Sequence, residues 1–423
     1  MSERKMIYLC LAHMSENGVE QKYVQEAFDT NWVVPMGPNV NGFEKDLAEF
    51  VNSKQLDRKV VCLSAGTAAV HLALIACGVK AGDEVLVQSF TFCASSHPIT
   101  YLGAKPVFVD SERETWNMDP DLLEKAIIER KEATGKYPKA IIPVALYGMP
   151  YDCERIMAIA DKYGIPVVED AAEGMGSRFN GQVIGTFGRF GVLSFNGNKM
   201  ITTSGGGALI CRSAEDANEV MWYATQARDA YPYYEHTAIG YNYRMSNVCA
   251  GIGRGQMTVL DNHIAHHKHV QQLYRELLAD VPGVTLHDQP ADGRYDSNFW
   301  LCAATLDPSV RIVGQENAYK TVITSAVGGA AGVIKAVDSA VTDCQPNDNV
   351  EALRVFMLEK KVECRPVWKP MHKQPVYADA VAYVNGVSED IFKVGFCLPA
   401  GPYVTDGDVR YIVECIKEAI VTE

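Results

Sequence analysis

The sequence predicts an α/β fold: a large domain over residues 1–250, with a mostly parallel central sheet covered by helices, and a smaller C-terminal α/β domain over 251–423. Three observations predict it. Through the first 250 residues, short apolar runs alternate with amphipathic helical stretches without a linker-like break, the pattern of parallel strands joined by helical crossovers. A long helical pattern from Asn247 to about Asp280 then leads away. Strand-like runs resume near Asn298 to Thr305, Val362 to Pro366 and Gly395 to Leu398.

Taken in order, Val60 to Leu63 is an apolar strand that turns through Ser64-Ala65-Gly66-Thr67 into a helix with apolar residues at i, i+3 and i+4. The free N–H groups and positive dipole end of such a helix suit an anion, with Gly66 and Thr67 as its cradle, although the same junction also occurs simply as a capped helix. Glu84 to Gln88 is the next strand. It ends in Gln88-Ser89-Phe90-Thr91-Phe92, where Phe92 is either a core filler or a face for a flat ring. Pro106 to Val109 and Ala140 to Leu146 continue the strands, with helices at Asp121 to Ala133 and Asp152 to Tyr163. The run Ile165-Pro166-Val167-Val168 reads as a buried parallel strand ending in Glu169-Asp170, and ligands sit at such carboxyl ends. Asp170 there is either a helix N-cap or a partner for a protonated ring nitrogen.

Lys199 is the most informative residue. It lies in Ser194-Phe195-Asn196-Gly197-Asn198-Lys199-Met200-Ile201-Thr202-Thr203-Ser204-Gly205-Gly206-Gly207, with a serine five residues before it and glycines just after. A lysine amine attacks carbonyls once burial or charge lowers its pKa, and a lysine is what holds pyridoxal phosphate covalently. A solvated lysine in a Gly-rich turn is the alternative.

Order and spacing decide between the two. The chain resembles the DegT/DnrJ/EryC1/StrS family of sugar aminotransferases, from Ser15 to about Val310 and again from roughly Val350 onward. The resemblance is carried by Pro35-Met36-Gly37-Pro38, Ser64-Ala65-Gly66-Thr67-Ala68-Ala69, Ser89-Phe90-Thr91-Phe92, Glu169-Asp170-Ala171-Ala172-Glu173, the Lys199 run, Gly240-Tyr241-Asn242-Tyr243-Arg244-Met245-Ser246 and Arg365-Pro366-Val367-Trp368-Lys369-Pro370-Met371-His372. It implies the aspartate-aminotransferase-like fold type I and pyridoxal 5'-phosphate as cofactor. By resemblance Lys199 carries the cofactor covalently and moves the proton, Asp170 holds the pyridine nitrogen, and Glu173 sits near the ring hydroxyl. Many members carry glutamine at the Glu173 position, so glutamate there needs a shared proton or a nearby cation. Gly66, Thr67 and Ser194 are implied to bind the phosphate and Phe92 to stack on the ring. Asn242 is implied to reach the cofactor phosphate of a neighbouring subunit, hence a homodimer with shared sites.

Ser194 to Lys199, Thr202 to Gly207 and Thr225-Gln226-Ala227-Arg228 resemble most the C4 aminotransferases of the bacillosamine-pathway type. The expected substrates are a UDP-linked 2-acetamido-2,6-dideoxy-4-keto hexose and L-glutamate, with ping-pong kinetics. A 3-aminotransferase acting on a dTDP-linked 3-keto sugar is the alternative. A dehydratase of this family would carry histidine in place of Lys199, a regulator would add a helix-turn-helix, and no G-x-G-x-x-G marks a dinucleotide site.

Composition agrees. The 423 residues are 48% hydrophobic, enough for a sizeable core, and the net charge of −13 argues against a nucleic-acid or membrane-surface binder. A nucleotide diphosphate then needs a local cationic patch, for which Arg228, Arg244, Arg365, Lys369 and His372 are candidates. Twelve cysteines without a C-x-x-C pair, no signal-like N-terminus and no membrane-length apolar run point to a cytoplasmic protein with reduced thiols. His263, His266, His267 and His269 fall at helical spacing but lack a carboxylate pattern, so a wet helix face is expected and no metal. The small-residue-rich segment 314–347 departs from the family pattern and reads as an insertion or flexible segment.

Overall fold

The computed structural model describes residues 4–52, 55–320 and 344–421. Seven strands build the large sheet: β1 Lys59–Leu63, β2 Glu84–Gln88, β3 Lys105–Val109, β4 Ile141–Ile142, β5 Val168–Asp170, β6 Phe190–Ser194 and β7 Gly207–Cys211. Their order in space is β3-β2-β4-β5-β6-β7-β1, with β4 and β5 joined by the parallel bridges Ile141 to Val167 and Val144 to Asp170. All neighbours run parallel except β7, which is antiparallel to both β6 and β1. The expectation of a mostly parallel sheet is met. One consequence positions the site: the carboxyl ends of β1, β2, β5 and β6 and the entry to β7 share one edge of the sheet, where ligands of open α/β sheets bind.

The helices form where their ends are satisfied. The helix Pro120–Thr134 starts on Asp119, whose carboxylate accepts the N–H groups of Asp121 and Leu122, and stops at Gly135 with φ +74°. Asp152 and Gly164 bracket Cys153–Tyr163 in the same way. The helix Gly66–Ala76 has no polar face; Ala68 through Leu74 are all buried, as befits a helix enclosed between the sheet and other elements.

Several expected elements are altered for visible reasons. Ala140 to Leu146 keeps only two residues of regular strand, because Pro143 lacks the N–H a ladder needs. The long helix is two helices, Asn247–Met257 and Leu260–Leu278. At the break the N–H groups of Thr258 and Val259 bond three residues back, and Thr258 Oγ1 also donates to the Gly255 carbonyl. The strand expected from Asn298 begins at Cys302, since residues 297–301 are spent entering the site.

The C-terminal sheet is antiparallel throughout, in the order Val284–Leu286, Cys302–Leu306, Gly395–Leu398, Arg365–Pro366. Leu273, Tyr274, Leu353, Phe396 and Ile416 sit in its core. The chain does not leave the large sheet for good at residue 250. Met371 and Tyr377 pack into the large core, and Ala382–Tyr383 pairs with β3 as an eighth, edge strand. Most of segment 314–347, namely 321–343, lies outside the described residues. Among the described residues no helix is long and apolar enough to cross a membrane, and no disulfide joins any of the cysteines.

Candidate active site

A cavity of about 290 Å³ opens at the shared edge of the sheet. Gly66, Thr67, Phe92, Asp170, Glu173, Ser194 and Lys199, far apart in sequence, all line it. Ser95, Trp300 and Trp368 were not singled out from the sequence and complete it. Trp300 and Trp368 line the cavity, and Ser95 stands behind Asp170.

At one end β1 passes into the helix Gly66–Ala76, whose start no side chain caps. Its first N–H groups therefore await an acceptor, and the helix dipole favours an anionic one. Ser194, at the end of β6, stands beside it: a Cβ on Gly66 would lie 3.1 Å from Ser194 Cβ. Gly207 closes the cradle from behind, since a Cβ there would meet Gly66 N at 2.4 Å and Ala65 C at 2.5 Å. Backbone cannot yield as a side chain does. Gly207→Ala is expected to push the helix start into the cavity, costing roughly 1–3 kcal/mol of stability and weakening pyridoxal phosphate retention about tenfold or more. Thermal melting and a titration of the apo-protein with cofactor check both.

At the other end Asp170 is buried, 5% exposed. Its Oδ2 accepts from Ser95 Oγ at 2.6 Å and its Oδ1 from the Ala172 N–H at 3.1 Å. No helix starts directly after β5, so the N-cap reading of Asp170 falls; the N–H it accepts belongs to a turn, and its carboxylate lines the cavity. Ser95 is tied in turn to Thr91 Oγ1 at 2.8 Å. Nothing in the sequence pairs Ser95 with Asp170; only the adjacency of two strand ends does.

Lys199 Nζ lies 3.3 Å from Glu173 Oε1 and 4.1 Å from the centroid of the Trp300 ring. Glu173 Oε2 accepts the Tyr147 N–H at 2.8 Å. Burial pushes the Glu173 carboxyl above the usual carboxylate range, and the Lys199 charge opposes that shift. The cation that a glutamate at this position requires is therefore Lys199 itself. Phe92 is 49% exposed, lines the cavity and packs on Trp368 at 5.3 Å between ring centroids. It is no core filler.

The cationic candidates fare differently. Arg244 is committed to Glu44 and to the Cys62 carbonyl, its side chain 9% exposed. His372 spends Nδ1 on Ser89 Oγ at 2.6 Å and Nε2 on Glu389 at 3.2 Å. Arg365 pairs with Glu363. None of the three lines the cavity, and Arg244 and His372 already have partners within the chain: sequence proximity to a motif says nothing about which partner a cation already has. Arg228 and Asn242 are exposed and do not line this chain's own cavity either. Lys369 lines a neighbouring groove that shares Thr91, Phe92 and Trp368 with the cavity.

The histidine helix is corrected as well. His263 and His267 are buried, 5% and 0% exposed, and only His269 is fully wet. Among the described residues no group of three or more metal-capable side chains occurs.

The residues present fit pyridoxal phosphate: an uncapped helix start with a hydroxyl for its phosphate, a held carboxylate, an exposed aromatic ring and a buried amine. Comparison with known proteins agrees. The model of the DegT/DnrJ/EryC1/StrS aminotransferase family matches residues 15–318 and 316–417. The chain is 41% identical over 416 residues to EpsN of Bacillus subtilis (strain 168), named as a candidate pyridoxal phosphate-dependent aminotransferase, covering 97% of this chain and 95% of EpsN. It is 32% identical to the GDP-perosamine synthase of Escherichia coli O157:H7, over 98% of this chain and 99% of that one. A DegT DnrJ EryC1 StrS aminotransferase from Brucella abortus superposes with a TM-score of 0.79 at 25% identity, over 95% of each chain. With its fold, its site and these relatives in agreement, the chain belongs to the DegT/DnrJ/EryC1/StrS family and is a pyridoxal-phosphate-dependent sugar aminotransferase.

Proposed function

We propose that this enzyme transfers the amino group of L-glutamate to C4 of a UDP-linked 2-acetamido-2,6-dideoxy-4-keto hexose, in the cytoplasm, for a bacterial surface glycan. The observation that carries the reading is the placement of Lys199 Nζ in one cavity with Asp170 and the uncapped helix start. When bound, pyridoxal phosphate supplies the electron sink for the carbanion left as a proton departs the nitrogen-bearing carbon. The chain supplies everything else. Gly66, Thr67 and Ser194 hold the phosphate, Phe92 covers the ring, and the Asp170 carboxylate keeps a proton on the ring nitrogen. Lys199 Nζ anchors the cofactor and, once displaced by an amine, carries the proton. Glu173, held by the Tyr147 N–H, and the Trp300 ring stabilise whatever positive charge that amine bears.

Donor and acceptor use this one cavity in turn, so ping-pong kinetics follow. The UDP and C4 assignments rest on the motif resemblance of Ser194 to Gly207 and Thr225 to Arg228. Whole-length similarity to a GDP-perosamine synthase favours a GDP-linked sugar as the second reading. Of the cations, Lys369 in the adjoining groove and the exposed Arg228 remain candidates for the diphosphate. Product mass spectrometry and NMR on a panel of UDP-, GDP- and dTDP-linked keto sugars with glutamate decide: the UDP-4-keto sugar is expected to be aminated, and its rejection beside ready use of a dTDP-3-keto or GDP-linked sugar removes the reading.

A homodimer with shared sites belongs to the same proposal. Trp32, Val33, Met36, Tyr233, Tyr234 and Ile239 are large apolar side chains between 40% and 85% exposed, and a partner subunit would take such side chains out of water. Asn242 is exposed and does not line its own chain's cavity, which leaves its side chain available to a partner's site. Mixing Lys199→Ala and Asn242→Ala chains is expected to restore part of the activity, because each mixed dimer then holds one intact site and one with both lesions. No restoration under demonstrated subunit exchange would place the whole site within one chain.

A further inference from the structure

Two histidines of the helix Leu260–Leu278 are left without a role by the reaction. His263 and His267 stand one helical turn apart and are both buried. His263 Nδ1 lies 3.1 Å from the Met200 carbonyl, and His267 Nδ1 lies 3.2 Å from the Phe299 carbonyl. A carbonyl oxygen only accepts, so each ring carries a proton on Nδ1. Burial keeps the rings neutral. It is the largest cause of the lowered His263 value and pushes His267 down to about 3. His267 Nε2 is buried without a partner, as suits a nitrogen bearing no proton.

The two acceptors bracket the reactive amine. Met200 follows Lys199, and Phe299 precedes Trp300, whose ring lies under Lys199 Nζ. The carbonyl before Lys199, that of Asn198, accepts from Trp300 Nε1 at 2.7 Å. The carbonyls of both residues neighbouring the lysine are therefore held, that of Asn198 by Trp300 and that of Met200 by His263. Phe299 has φ +49°, a left-handed conformation that a bulky residue keeps only where its surroundings impose it. Its N–H is held by Ser297 Oγ at 3.0 Å and its carbonyl by His267. Further along the same helix, Val270, Leu273, Tyr274 and Leu278 are fixed in the C-terminal core. One rod anchored in that core thus grips the lysine loop and the Trp300 turn together.

We infer that His263 and His267 are positioning residues, neutral Nδ1–H donors that set Lys199 against Trp300. The inference rests on the reading of Lys199 as the cofactor-bearing residue, and the experiment separates the two. Each histidine is replaced by asparagine, whose amide nitrogen reaches the place of Nδ1, and by glutamine, whose amide lies farther out. Apo-protein is mixed with pyridoxal phosphate, and the rate of borohydride-reducible attachment is followed and mapped by peptide mass. Steady-state constants and melting temperature are measured on the same proteins.

A misplaced amine loses rate more than affinity, so the Gln variants are expected to lose about tenfold or more in attachment rate and kcat with KM within about twofold, while the Asn variants stay within about threefold of wild type. Equal behaviour of the Asn and Gln variants overturns the proposal, as does a Gln variant that lowers only the melting temperature. Independently of how any variant folds, 15N NMR of the wild-type rings is expected to show Nδ1–H for both histidines; an Nε2–H tautomer or an imidazolium at neutral pH overturns it. Attachment mapped to another lysine removes the Lys199 reading instead, whatever the histidines do.

Discussion

Lys199→Ala is expected to abolish covalent cofactor attachment and to lower kcat by at least about a thousandfold, because the proposed reading gives one amine the work of both anchor and proton carrier. No neighbouring amine can replace it: among the residues lining the cavity Lys199 is the one lysine, and the Glu173 carboxylate and Trp300 ring beside it cannot form an imine. The same change should alter stability with a defined sign. The folded-state pKa of Glu173 is raised above its unfolded value, chiefly by burial. Its contribution to stability is therefore full below the unfolded value of about 4.3 and is lost as pH rises through the folded value. Lys199 opposes that loss, so the cofactor-free variant should fall further behind wild type at pH 7 than at pH 4. Melting curves across that range, with borohydride reduction and peptide mass for attachment, check both halves. A variant that still attaches pyridoxal phosphate, or keeps more than a few per cent of turnover, would falsify the assignment of Lys199.

How much was legible beforehand depended on the kind of signal. Local signals held: β-branched runs became strands, the two expected helices formed between Asp119 and Gly135 and between Asp152 and Gly164, and the strand-to-helix turn at Gly66 leads into a helix whose start no side chain caps. The gathering of Gly66, Phe92, Asp170, Ser194 and Lys199 into one cavity came from family resemblance, since nothing local relates residues so far apart. What stayed hidden was pairing across the fold. Arg244 and His372 looked available because a sequence does not show that Glu44, Ser89 and Glu389 already occupy them. His263 and His267 looked wet because the helix face they share was assumed to meet solvent, when it meets the Met200 and Phe299 carbonyls. Ser95 and Trp300 carry no motif of their own and enter the site only through their contacts with Asp170 and Lys199, one from the segment after β2 and the other from the segment ahead of the C-terminal strand Cys302–Leu306.

Asp170→Asn should lower kcat by about 10²–10⁴ while leaving the fold nearly untouched, and the contrast between those two effects is what makes it informative. The carboxylate has two jobs in the structure. Oδ1 receives the Ala172 N–H and so holds the turn that leads to Glu173, while Oδ2, steadied by Ser95 Oγ, presents negative charge to the cavity. Asparagine keeps the first job, since its carbonyl oxygen accepts the same N–H, and the hydroxyl of Ser95 can turn to accept from the new amide. It loses the second. A neutral amide cannot hold a proton on a ring nitrogen, and an unprotonated ring is a poor sink for the electrons released when Lys199 takes the proton. Asp170→Ala removes both jobs and should cost roughly 1–3 kcal/mol of stability on top of the same kinetic loss, because a buried N–H is left without an acceptor. Melting temperatures and single-turnover rates on the two variants separate the roles. If Asp170→Asn turned over at the wild-type rate while Asp170→Ala merely melted earlier, the residue would serve its turn alone, and the charge needed at the ring nitrogen would have to come from another group lining the cavity.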